Sequence, residues 1–138
     1  MIIVDIPKMV QLVRDIGVVD MIDQLIERFY HGYLRWEDFD KSARQACYVE
    51  HGVIELMPVC DQSHHAVKWI NCHPENVKSN KLSIVGFGIW SEVTYGYPLM
   101  MVEMTLLTAI RTAAATGLFI RHAIDRQINA VGLVGTGA

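Results

Sequence analysis

Four polar residues in the middle of the chain, Arg44, Glu55, Lys68 and Ser83, stand singly among apolar neighbours such as VIELM, VKWIN and LSIVGF. Each can point into one common space if strand alternation puts them on one face, although registers cannot be derived from one sequence. Glu55 is flanked by bulky side chains, so burial would raise its pKa unless a cation neutralises it; a carboxylate on an exposed face is the alternative. Lys68 is either an anion ligand in an apolar strand or a lysine whose stem lies on the surface with its head in water. Arg111 is the only charge between Glu103 and Arg121. A guanidinium cannot discharge by losing a proton, so its burial needs a nearby anion: a structural carboxylate such as Glu103, or a ligand phosphate or carboxylate held by its fork of donors.

The elements that must position these residues follow from periodicity. Residues 18–30 carry Val18, Met21, Ile22, Leu25, Ile26 and Phe29 at helical spacing, with Asp20, Asp23, Glu27 and Arg28 on the other side. A shorter helix from Pro7 to about Ile16 precedes it, punctuated by proline at its start and Gly17 at its end. From Ala43 the pattern changes to short β-rich runs, ARQACYV, VIELMPV, HAVKWINC, LSIVGFGIW and YPLMMVE, which predict a mostly antiparallel sheet of about five strands. Residues 105–121 predict a buried helix on which Thr105, Thr108, Thr112 and Thr116 form a polar seam with Arg111 at its edge. The run INAVGLV then predicts a strand entering Gly135-Thr136-Gly137, either a glycine-rich terminus or the opening of a dinucleotide-binding turn. The class is α+β, with residues 1–125 as one unit and 126–138 as the beginning of a Rossmann domain.

Composition narrows the function. The 138 residues are 51% apolar and 20% charged, with a formal charge of −3 and no basic run, which disfavours a nucleic-acid partner. Cys47, Cys60 and Cys72 fit neither a disulfide framework nor CxxC zinc spacing, and the six histidines form no HxH or HExxH pattern, so no metal is expected. The stretch from Met104 to Ile120 is too short and polar to favour a bilayer, and MIIVDIPKM does not read as a signal peptide. A cytoplasmic protein is expected.

The run KWINCHPENVKSNKLSIVGFGIWSEVTYGYPLMMVEMTLLTAIRTAAATG, with the earlier FDKSARQACYVEHGVIELMPVCD, closely resembles the ornithine cyclodeaminase and mu-crystallin family, nearest its ornithine cyclodeaminase branch. The resemblance spans essentially the whole chain. It implies a substrate-binding and dimerisation domain followed by only the first strand of an NAD-binding domain. It implies an NAD-dependent conversion of L-ornithine to L-proline and ammonia, in which a hydride leaves the α-carbon, ammonia departs, the δ-amine closes the ring and the hydride returns. By motif, Arg44 in KSAR and Lys68 in VKWIN match residues holding the substrate carboxylate, and Glu55 in VIEL matches an acidic residue near its amino groups. Ser83 stands where the family usually has a cofactor-contacting Thr, Arg111 in TAIRTAA matches a cofactor-phosphate ligand, and Gly135, Gly137 and Ala138 belong to the pyrophosphate turn. Cys72 stands where many relatives carry Gly. Apolar strands such as VIELMPV and LSIVGFGIW at an open sheet edge predict a homodimer through the sheet. The resemblance places other cofactor and proton-handling residues beyond this stretch, so the 138-residue chain alone is expected to bind NAD weakly and not to turn over ornithine. Alanine dehydrogenase or ketimine reductase chemistry, and a non-catalytic module of the mu-crystallin type, are the competing functions.

Overall fold

In the computed structural model, which describes residues 1–134, a three-residue strand, β1 (Ile2–Val4), leads at Asp5 into helix α1 (Ile6–Ile16). The Asp5 carboxylate accepts the Lys8 N–H at 3.1 Å, and Pro7 occupies the first turn, where a missing N–H breaks no bond. Gly17 ends α1 at φ +88°, a conformation that disfavours any side chain. Its N–H reaches the Val13 carbonyl at 2.9 Å, while its own carbonyl accepts the Met21 N–H and so starts α2 (Val18–Leu34). α2 continues four residues past its predicted end at Tyr30, because Gly32 weakens a helix without forbidding it.

The five predicted strands are present as β2 (Gln45–Val49), β3 (Gly52–Cys60), β4 (His64–Cys72), β5 (Ile84–Glu92) and β6 (Pro98–Glu103), each antiparallel to the next. β1 adds a sixth, parallel to β6, and completes the order β1-β6-β5-β4-β3-β2. Helix α3 (Thr105–Ala123) follows β6 directly. The Glu103 carboxylate is buried at the junction and accepts the backbone N–H groups of Thr105 and Leu106, so an acidic side chain caps the first turn. Thr105 Oγ1 in turn accepts the Gly86 N–H at 3.2 Å, fixing the start of α3 to β5.

The core lies between the helices and one sheet face. Met9, Met21 and Ile110 are buried at its centre, with Val4, Leu25, Val102 and Leu106 packed around them. The polar seam expected along a buried helix is half-buried at its beginning and exposed beyond it: Thr112 and Thr116 are exposed, and their hydroxyls donate to the carbonyls one turn back, Thr108 and Thr112. The opposite sheet face is uncovered. Leu56, Trp69 and Phe87 line up across three strands there, the two rings stacked with centroids 5.4 Å apart, and Leu56 and Phe87 are more than a third exposed.

The strand expected after residue 126 is not formed over 126–134. Backbone becomes a strand only by hydrogen-bonding a neighbour, and no strand of the sheet lies beside this stretch; Val131 and Leu133 remain largely exposed. Gly135, Gly137 and Ala138 lie outside the described residues.

Candidate active site

Register decides which side chains share a space. Lys68 pairs with Met57 on β3 and with Gly88 on β5, and Gly88 pairs with Val102, a residue of the helix-packed core. Lys68 therefore projects from the helix-covered face, and Glu55, two residues from Met57, shares that face. Opposite Lys68 a glycine leaves space for the long side chain. A methyl at Gly88 would meet the Met104 side chain at 3.3 Å, so the position is also closed to bulk from the helix side. Ala46 pairs with Glu55, and Arg44, two residues earlier, reaches the same place, its Nη1 2.9 Å from Glu55 Oε1.

The Arg44–Glu55 pair is lopsided: the carboxylate side chain is 15% exposed and the guanidinium 62%. Glu55 is thus a fixed acceptor that orients an Arg44 with donors to spare. Burial pushes the Lys68 ammonium below its ordinary value, repulsion from Arg111 pushes the same way, Glu55 opposes this, and Arg44 adds a further downward push. Lys68 is thus within electrostatic reach of two further cations and one carboxylate. Among the described residues neither Lys68 nor Arg111 has a side-chain hydrogen bond or an ion pair. The carboxylate that could have neutralised Arg111 is engaged elsewhere, since Glu103 caps α3. The arrangement has an excess of two positive charges and suits a small anion bearing a cationic neighbour for Glu55.

Ser83 is not part of this cluster. It lies just before β5, its carbonyl accepting the His73 N–H at 2.8 Å, and lines a separate hollow of about 340 Å³ with Thr105, Thr108 and Thr112. The expectation of one space shared by Arg44, Glu55, Lys68 and Ser83 is corrected accordingly. Alternation applies inside a ladder, and residue 83 lies one position before the strand begins. Arg111 is on the adjoining sector of α3, three residues after Thr108.

Sequence reasoning missed two features. Arg111 lines a hollow of about 470 Å³ with Tyr33, Trp36, Phe39 and Lys41, and Lys41 Nζ stands 4.8 Å from the Trp36 ring centre. The available signal was the aromatic spacing of three in YLRWEDF. The second is Thr108, whose Oγ1 is buried with no hydrogen-bond partner among the described residues. Its place in the threonine seam beside Arg111 was visible, but its missing partner was not.

A family model described as the ornithine cyclodeaminase/mu-crystallin family matches residues 6–138. The ornithine cyclodeaminase of Agrobacterium fabrum (strain C58 / ATCC 33970) is 37% identical over 135 residues, which cover 98% of this chain and 38% of that protein. The Brucella abortus ornithine cyclodeaminase is 35% identical with the same coverage, so the chain spans about two fifths of the length of these curated relatives. Among solved structures, a lysine cyclodeaminase studied for its recognition of L-lysine, L-ornithine and L-2,4-diaminobutyric acid has a TM-score of 0.82 at 22% identity, over 88% of this chain and 38% of that one. Thermococcus litoralis Δ1-pyrroline-2-carboxylate reductase, solved with NADH and L-proline, has a TM-score of 0.68 at 25% identity, again over 88% of this chain and 38% of that one.

Proposed function

Because the chain belongs to the ornithine cyclodeaminase/mu-crystallin family, we propose that its cation cluster grips the α-carboxylate of L-ornithine, as the substrate-binding part of an NAD-dependent conversion to L-proline and ammonia. The observation that carries this reading is that the Arg44–Glu55 pair and Lys68, which has no ion pair among the described residues, share one sheet face, so that two cations there have one carboxylate between them. A substrate carboxylate is the anion that such a cluster lacks.

In this reading Arg44 keeps one donor on Glu55 and offers the rest of its fork to the carboxylate, while Lys68 supplies the opposing point charge. Two cations on either side of β3, Arg44 at the start of β2 and Lys68 on β4, fix the α-carbon in one orientation, which contributes to rate by removing a search over orientations. Glu55 accepts from the substrate's amino groups and holds a proton acceptor close to them. A second amine distinguishes ornithine from alanine, and Glu55 is the feature that favours it. Bound NAD would supply reversible hydride acceptance at the substrate's α-carbon. On this chain Arg111 and Ser83 are the residues assigned to hold it. The fit is supported by Arg111's lack of a carboxylate partner and by the hollow beside it that Ser83 lines. Gly135, Gly137 and Ala138 are assigned to the pyrophosphate. Residues 1–125 act as the substrate and dimerisation unit and 126–138 as the start of the cofactor domain. The bare sheet face with Leu56, Trp69 and Phe87 is the surface assigned to a second copy.

Calorimetric titration of the 138-residue chain with L-ornithine tests the assignment. Arg44→Ala and Lys68→Ala each lower affinity about tenfold or more, the effect of losing a charge-assisted bond. Unchanged affinity in both variants would refute the carboxylate grip.

A further inference from the structure

The hollow of about 470 Å³ between α2, α3 and β3 is lined by cations and rings and by no carboxylate. Each helix presents to it a guanidinium followed one turn later by a small residue: Arg28 and Gly32 on α2, Arg111 and Ala115 on α3. Glycine is among the poorest helix residues, yet Gly32 stands inside α2, and a methyl added to it would meet nothing within 4 Å. Its missing side chain keeps the hollow open. Tyr33 and Trp36 form one wall, their rings stacked with centroids 5.7 Å apart and both at least half exposed. Lys41 braces this wall, its ammonium donating to the carbonyls of Trp36 and Phe39 and lying over the Trp36 ring.

The occupant's chemistry follows from the charges that remain unmet. Lys41 is engaged, whereas Arg28, like Arg111, has no side-chain hydrogen bond or ion pair among the described residues; the α2 acids nearest before it, Asp23 and Glu27, are both held by Arg121. Two guanidinium forks facing an open ring wall suit an anion with a flat apolar body: a planar carboxylate for the forks and an aromatic ring for the wall. With no acid in the lining, an ammonium on the same molecule would meet only repulsion, so an amino acid is disfavoured. The C-terminal turn of α2 borders the hollow, and its negative end opposes the second charge of a phosphate. Val59 in the lining is two residues from Met57, the partner of Lys68, so the hollow adjoins the cation cluster; only the cluster has an acid, Glu55. The volume lies in the range of small-molecule sites, roughly 300–1,000 Å³.

We propose that this hollow is a second small-molecule site, distinct from the carboxylate grip, and that it binds an aromatic carboxylate lacking an amine, with Arg28 and Arg111 on the carboxylate and Tyr33 and Trp36 against the ring. The proposal stands whether or not the chain acts on ornithine.

The test is an NMR titration of the 138-residue chain, following backbone amides, with indole-3-propionate, L-tryptophan and inorganic phosphate as separate probes. Indole-3-propionate is expected to shift Gly32, Tyr33 and Trp36, and inorganic phosphate to leave them unmoved. L-Tryptophan, the same ring and acid with an ammonium added, is expected to bind at least about tenfold more weakly. Arg28→Ala is expected to weaken indole-3-propionate about five- to tenfold, the loss of one charge-assisted bond, with an unchanged thermal midpoint, because it breaks no ion pair. Gly32→Leu puts a side chain into the open space and is expected to abolish binding with an unchanged or raised midpoint. Silence of these amides, shifts at Arg44 and Lys68 in their place, equal affinity for tryptophan, or an equal response to phosphate would each overturn the proposal. So would full affinity in Arg28→Ala, retained binding in Gly32→Leu, or a fall in the Gly32→Leu midpoint.

Discussion

Lys68 is the residue on which stability and function pull in opposite directions. Its ammonium is partly buried and faces Arg111 and Arg44, so it is held below its ordinary pKa. The unfolded state then holds more protons between the lowered value and 10.5, so stability rises with pH through that window and the penalty is complete below it. Lys68→Met is therefore expected to raise the thermal midpoint at pH 7 by a few degrees and to remove the alkaline rise. Scanning calorimetry at pH 7 and pH 10 checks this, and a lower midpoint for the variant at pH 7 would show that the charge is already compensated. Singly placed charges in apolar runs made Arg44, Glu55 and Lys68 legible in the sequence. Their convergence was not, because a slip of one residue in the β3–β4 register would have sent Lys68 to the bare face. Arg111 was legible as a cation in need of an anion, but whether Glu103 supplied it depended on a helix cap that only the fold reveals.

At the scale of elements, α3 carries both Thr108 and Arg111, and its start is set by Glu103. Glu103→Ala removes an acceptor from two half-buried N–H groups and is expected to cost about 1–2 kcal/mol, measured by urea unfolding. A cost near zero would mean that water or a backbone carbonyl replaces the cap. Helices α1 and α2 were readable because proline, Gly17 and apolar periodicity mark them within a few residues, and α3 because residues 105–121 are good helix formers. β1 was not, since three residues are too few for alternation to register, and its partner β6 lies almost a hundred positions away. The apolar run after residue 126 forms no strand over 126–134 because β propensity measures fitness for a sheet surface, and no strand of this sheet lies beside it.

For the whole molecule, the dominant fact is a sheet with helices on one side only. The face bearing Leu56, Trp69 and Phe87 is an apolar surface whose burial against a second copy would be favourable. Phe87→Glu is expected to convert a dimer into a monomer, read by sedimentation at micromolar concentration, with the thermal midpoint measured alongside; a wild-type monomer would remove this part of the reading. Dimerisation leaves the cation cluster open, because Lys68 and Glu55 project from the other face. The central claim is that this cluster recognises a carboxylate. Titrating the wild-type chain with L-ornithine and with 1,4-diaminobutane, the same molecule without its carboxylate, tests it most directly. The account predicts binding of ornithine and at least about tenfold weaker binding of the diamine; equal affinity for the two would contradict it.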